Sequence, residues 1–219
     1  MRTPLCIIKE RLSQTLDGML GEITEKQHKV FSAVFSNVEH LIHVLNNLLD
    51  MAKIESMKFD FHSQKVNMVE LLRAVKSLYE TQAKKKGLQI KEIYASECIE
   101  IYADKEKIVQ VLMNLMNNAI KFTEQGLITI AADELKEGGI RCSITDTGKG
   151  IAKKDLPKLF AKFMRVGRED GRCEKGTGLG LFICKGIIEL HKGRIWLESE
   201  LDHGTKVNFT LPKTPPECA

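Results

Sequence analysis

Apolar residues recur at every seventh position through Phe31, Val38, Leu45 and Ala52, and the pairs Val34/Phe35, Leu41/Ile42 and Leu48/Leu49 fill the positions between. That spacing is the seam of a helical bundle or coiled coil. No proline follows Pro4 before Pro157, so residues 5–57 read as two helices with a break near Gly18 to Thr24. A two-helix hairpin with this much apolar surface cannot bury it alone. A symmetric copy completing a four-helix bundle is the natural solution, which predicts a homodimer through residues 5–57.

The period then changes. Val69, Leu72, Val75, Leu78 and Tyr79 still recur at helical spacing, but from Leu88 short β-type runs follow: 88–95, 99–103, 127–132, 140–145, 194–200 and 206–211. Gly138-Gly139 and Asp202-His203-Gly204 fall between paired runs, as hairpin turns do. Helical patterns over 104–123 and 180–191 interrupt the strands. Helices gathered on one face of a mixed sheet make an α+β two-layer sandwich. The expected organisation is a helical hairpin over 1–58, a linker over 59–66, the sandwich over 67–214 and a tail over 215–219.

Composition narrows the class of function. With 33 basic against 29 acidic residues spread along the chain, no uniform field points to nucleic acid. The six cysteines lack C-x-x-C spacing, which argues against a zinc site or disulfide framework and fits a reducing compartment. No run reaches the roughly 18 apolar residues that span a bilayer, and no signal-peptide pattern opens the chain. The segment reads as cytoplasmic and makes no membrane contact of its own, while leaving room for a membrane-anchored parent.

Four short stretches in the C-terminal two-thirds carry the chemistry. In order they are Asn114 to Lys121 (with Asn118 between), Asp146 to Gly150, Phe160 to Phe163, and Gly176-Thr177-Gly178-Leu179-Gly180-Leu181. Asn114 and Asn118 stack on one helical face, and an amide oxygen there can hold a metal. Asp146 follows an apolar strand, where a carboxylate can receive an amino hydrogen, and Gly148 and Gly150 let the backbone turn beside it. The glycines at 176, 178 and 180 run straight into a helix, so free N–H groups and the positive helix end face one point. Taken singly, these read as well as helix-surface amides, a turn, and a Gly-rich helix entry. The ordered set is what carries the information.

On these residues the chain resembles the catalytic core of a two-component sensor histidine kinase, the four stretches matching that family's N, G1, F and G2 boxes. Arg2-Thr3-Pro4-Leu5 is similar to the tail of the family's His-Glu-Leu-Arg-Thr-Pro-Leu box, an alignment that places the phosphoacceptor histidine upstream of Met1. The resemblance implies the ATPase fold shared with gyrase B, Hsp90 and MutL, with ATP and Mg²⁺ as cofactors. It implies γ-phosphoryl transfer to a histidine and onward to an aspartate in the receiver domain of a response regulator. Asn118 would be the metal ligand, Asn114 its helper and Lys121 a phosphate contact. Asp146, with Gly148 and Gly150, would meet adenine, and Gly176 to Leu181 would close on the phosphates.

Residues 164–175, with three arginines and two glycines, fit a lid over the nucleotide, Arg165 being the candidate to touch the triphosphate and Arg168 and Arg172 solvated charges. Phe160 and Phe163 would anchor that lid against the core. Thr3 aligns with the family threonine that helps orient water when the partner is dephosphorylated. His40 and His43 read as polar residues beside the seam, and with no histidine in a His-Glu-x-x-Thr setting this polypeptide alone should not autophosphorylate. Rival readings are another ATPase or a serine kinase of the same superfamily, or a degenerate module that docks a regulator without turning over ATP. The helical seam and Arg2-Thr3-Pro4 count against the first, and the intact Asn118, Asp146 and Gly178 against the second.

Overall fold

A computed structural model of the chain describes residues 2–56, 61–165 and 176–213. The chain divides into two compact units, Met1–Ser56 and Met57–Ala219. The first is a hairpin of α1 (Arg2–Leu16) and α2 (Glu25–Glu55). Gly18 and Gly21 take positive φ in the connection, which any Cβ would disfavour. Thr24 then starts α2 with a capping box, its hydroxyl accepting from the Gln27 N–H while the Gln27 side chain reaches back. Lys9 pairs with Glu39 at 2.7 Å across the hairpin. Phe31, Val38 and Leu45 are half-buried between the helices, whereas Val34, Leu41 and Leu48 stay exposed along α2.

The second unit runs β1 (Gln64–Asn67), α3 (Met68–Lys85), β2 (Leu88–Tyr94), β3 (Glu100–Ala103), α4 (Lys105–Phe122), β4 (Gly126–Glu134), β5 (Ile140–Asp146), a 3-10 turn at Leu156–Lys158, α5 (Gly180–Leu190), β6 (Arg194–Ser199) and β7 (Thr205–Leu211). The main sheet has the order β2-β4-β5-β7-β6; β2 and β4 are parallel and the other pairs antiparallel. The alternation along the strands is clear. Ile128, Ile130 and Ala132, Ile140, Cys142 and Ile144, and Val207, Phe209 and Leu211 are buried. Helices supply the facing layer through Val69, Leu72, Val75, Ile108, Leu112, Leu115, Ile183 and Ile187, all buried. At roughly 1.5–3 kcal/mol per large apolar side chain, this layer is the main source of stability. Continuing the same alternation, Asp146 ends β5 on the helix-facing side.

The sandwich, its helices and its strands stand where the sequence pattern puts them, with strand ends shifted by a residue or two. Positive φ at Gly138 and Gly139, and at Asp202 and Gly204, makes the two hairpin turns. One element differs. The end of the segment expected to be linker is β1, which pairs antiparallel with β3 in a ribbon separate from the main sheet. Its four residues contain a single apolar one, Val66, so no alternation announces it. Asn67 fastens the ribbon to the fold, its Oδ1 accepting both the Val69 N–H at 3.1 Å and the Ile99 N–H at 3.2 Å. The proposed lid lies almost wholly at 166–175, Arg168 and Arg172 included, outside the described residues.

Candidate functional site

Helix α4 is capped by Asp104 and buries Ile108, Val111, Leu112, Leu115 and Ile120 against the sheet. Asn114 is 8% exposed, and among the described residues the neighbour of its amide is the buried Cys184 thiol. Asn118, one turn on, is half-buried on the same face, and Lys121 lies in the last turn. The loop 176–180 runs along this face. A Cβ on Gly176 would sit 3.4 Å from Lys121 Nζ, and one on Gly180 would sit 3.7 Å from Asn114 Oδ1. Between them Gly178 adopts φ +70°, and a Cβ there would lie 2.7 Å from the Phe163 carbonyl carbon and 2.9 Å from the Met164 oxygen. The loop is thus held between α4 and residues 163–164, and only glycine fits its middle.

Helix α5 begins as this loop ends. Thr177 Oγ1 accepts the Leu179 N–H at 3.3 Å, and Leu179 is buried. Among the described residues no side chain caps the N-terminus of α5, and no acidic residue lies in its first turn, where Leu181 is half-buried. Its leading N–H groups and the positive end of its dipole are left for an anion.

On the other side, Asp146 is 8% exposed and its Oδ1 accepts the Gly148 N–H at 2.9 Å. Burial raises this carboxyl above the ordinary carboxylate range, opposed by backbone N–H donors from Gly148 and Thr205. Gly148 lies against the last residue of α4, where a Cβ would press on the Phe122 carbonyl, and the Lys149 N–H reaches that oxygen at 3.5 Å. Gly150, at φ +62°, faces the Glu200 carbonyl so closely that no side chain could fit. The Ser199 hydroxyl accepts from the Ile151 N–H at 2.9 Å and donates to the Gly204 carbonyl at 2.7 Å. The turn after Asp146 is therefore clamped between the end of α4 and the β6–β7 hairpin.

The fold brings Lys121, Gly148 and the loop Gly176–Gly180 to the C-terminal half of α4, with Asp146 bound to Gly148 and with Asn114 and Asn118 on one helical face, Asn114 beside Gly180. Lys121 and Lys149 hold their ammonium groups 4.5 Å and 5.1 Å from the Phe122 ring centroid. Arg165 is exposed at the edge of the described stretch, and Thr3 falls in the first turn of α1. Phe163 departs from expectation: it is 58% exposed with φ +58°, and the buried anchor of its segment is Leu159. Sequence reasoning also passed over Ser199 and Lys86, the latter lying in a Lys84-Lys85-Lys86 run that looks like solvated charge.

Residues 103–215 match the family described as histidine kinase-, DNA gyrase B-, and HSP90-like ATPase. The histidine protein kinase DivJ of Caulobacter vibrioides is 30% identical over 213 residues, which cover 97% of this chain and 35% of DivJ. The crystal structure of full-length ShkA in complex with AMPPNP superimposes with a TM-score of 0.78 at 26% identity, over 100% of this chain and 47% of that one. Histidine kinase ThkA in complex with the response regulator protein TrrA gives a TM-score of 0.69 at 26% identity, over 99% of this chain and 62% of the other. The chain spans only 26–41% of the length of the curated relatives it matches first. With the fold, the four boxes and these likenesses in agreement, the chain belongs to the histidine kinase-, DNA gyrase B- and HSP90-like ATPase family, among its sensor histidine kinases.

Proposed function

We propose that the C-terminal half of α4, with the turn after Asp146 and the loop Gly176–Gly180, binds Mg²⁺·ATP and that this chain is the ATP-binding and dimerisation core of a kinase that phosphorylates a histidine. The observation that carries the reading is the loop Gly176–Gly180 laid along α4 between Lys121 and Asn114, with an uncapped helix end behind it. In this reading the N–H groups of Gly176 to Leu181 take phosphate oxygens, Lys121 adds positive charge, and Asp146 accepts the adenine amino hydrogen. In the same reading Gly148 and Gly150 let the turn approach the ring, and Arg165 meets the triphosphate.

The residues present suit a magnesium ion. Among the described residues no cluster of three His, Cys, Asp or Glu side chains is set for a metal, and the Asn118 amide oxygen, half-buried on the α4 face the loop follows, is the ligand proposed here. Mg²⁺ takes oxygen ligands and keeps several waters, so one amide carbonyl with phosphate oxygens is chemically sufficient. When bound, the nucleotide supplies the γ-phosphoryl group and the metal neutralises its charge. The chain contributes position and electrostatics.

The exposed row Val34, Leu41, Leu48 on α2, together with Ile7 and Ile8 on α1, supports a homodimer through the hairpin. The ThkA structure contains a response regulator, and a receiver domain is the proposed acceptor here as well. This chemistry draws on cytoplasmic ATP, so the cytoplasm is the compartment proposed for the segment. No helix among the described residues is long and apolar enough to cross a membrane.

The test is titration of the intact chain with a fluorescent ATP analogue, followed by competition with ATP with and without Mg²⁺. Saturable binding displaced by ATP and tightened by Mg²⁺ is expected. Absence of displaceable binding would overturn the reading. With γ-labelled ATP, the isolated chain should acquire no acid-labile label.

A further inference from the structure

The ammonium group of Lys86 sits on three main-chain carbonyls at the end of α4. It donates to Thr123 O at 2.7 Å, to Lys121 O at 3.2 Å and to Ile120 O. An ammonium has three N–H donors and no acceptor, and all three are used here. Lys86 is the residue that ends α3, and the turn through Gly87 at φ +73° sends the chain on into β2. The carbonyls it meets are ones that α4 leaves without an intrahelical partner, at the negative end of the helix dipole.

The carbonyls of Lys121 and Thr123 flank Phe122. Phe122 O itself contacts Gly148 and receives the Lys149 N–H. Holding the peptide units on either side of Phe122 fixes the oxygen against which the turn after Asp146 is built. Thr123 adds a second restraint, its hydroxyl donating to Ala119 O at 2.6 Å.

We infer that Lys86 is a positioning residue for the nucleotide site, setting the distance between the Asn118–Lys121 face of α4 and the Asp146–Gly148 turn through the Phe122 carbonyl. The consequence for nucleotide affinity rests on the function proposed above. The coupling of Lys86 to the turn does not.

The test compares Lys86→Met, which keeps the stem and removes the charge, with Lys86→Arg, which keeps charge and donors, both in the full chain. Without ligand, the backbone amide resonances of Gly148 and Lys149 should move in Lys86→Met while the spectrum stays dispersed. The dissociation constant for the fluorescent ATP analogue should rise about tenfold, as expected when a charged hydrogen bond is lost. Lys86→Arg should return it to within about threefold of wild type, since a guanidinium can still donate to several carbonyls. Unmoved Gly148 and Lys149 resonances, an unchanged affinity, equal defects in Met and Arg variants, or global loss of dispersion would each overturn the inference. If the wild-type chain bound no nucleotide, the proposed function would fall, and the ligand-free resonances would still decide the coupling.

Discussion

Asp146 spends one carboxylate oxygen on the Gly148 N–H, 2.9 Å away, and both residues lie beside the last turn of α4. Burial of this carboxylate is costly for the fold even with backbone N–H donors to it, and the upward displacement of its pKa expresses that cost. A group whose folded pKa is raised contributes stability below its unfolded value, here 3.8, and loses that contribution as pH rises through the folded value. At neutral pH the charge of Asp146 therefore works against folding. Asp146→Asn keeps an oxygen for Gly148 but turns a donor toward adenine. It should bind ATP at least about a hundredfold more weakly, ~3 kcal/mol, while melting at or above the wild-type temperature. Titration and calorimetry on one sample decide both halves.

Two glycines of the same loop should behave oppositely. Gly178→Ala puts a methyl against the Phe163 and Met164 backbone at positive φ, so it should cost about 1–2 kcal/mol and weaken nucleotide binding roughly tenfold. Gly180→Ala meets only ordinary contact with Asn114 at the start of α5, where alanine favours the helix by up to about 1 kcal/mol. Its stability should match or exceed wild type in urea unfolding.

His191 is 2% exposed, donates from Nδ1 to Ile187 O at 2.8 Å and accepts the Asp104 N–H on Nε2 at 3.0 Å. Burial lowers its pKa from 6.5, opposed by the Ile187 hydrogen bond and the Asp104 charge. Its neutral form is the folded one, so its contribution is complete above pH 6.5 and declines as pH falls below that value through the folded pKa. Urea midpoints should drop between pH 6.5 and 5, and His191→Gln should flatten that slope. An unchanged slope in the variant would remove His191 as its source.

Within the hairpin, Leu41 and Leu48 are 47% and 37% exposed and share a heptad position with Val34. Leu41→Glu with Leu48→Glu should convert a dimer into a monomer in sedimentation equilibrium and leave ATP affinity within about twofold, since neither residue lies in the sheet-containing unit. A wild-type chain that sediments as a monomer would end the dimer proposal.

The parts legible in the sequence share one property: their signal is local. The heptads of α2, the apolar face of α4 and the alternation of β5 each sit within a single element, and alternation alone carries Asp146 to the helix-facing side. Gly148 and Gly150 are visible as turn formers and Gly178 as part of a glycine-rich helix entry, although only the structure identifies the backbone they must clear. Lys86, Ser199 and β1 were illegible because their partners are distant. Lys86 meets carbonyls 34 to 37 positions away, Ser199 meets Ile151 across 48, and Gln64–Asn67 is a strand only because Glu100–Ala103 lies beside it. Phe163 misled for the opposite reason: its type promised burial, and its positive φ turns it outward.

The small β1–β3 ribbon sets a lower limit on any trimmed version of the ATP unit. A fragment beginning at Met68 would strip the ladder from Glu100–Ala103, leave the Ile99 N–H without its Asn67 acceptor and remove the cap of α3. Fresh hydrogen-bonding edge would then face solvent next to the start of α4, inviting self-association and protease attack. The shortest piece that behaves as an autonomous folding body therefore has to include residue 64.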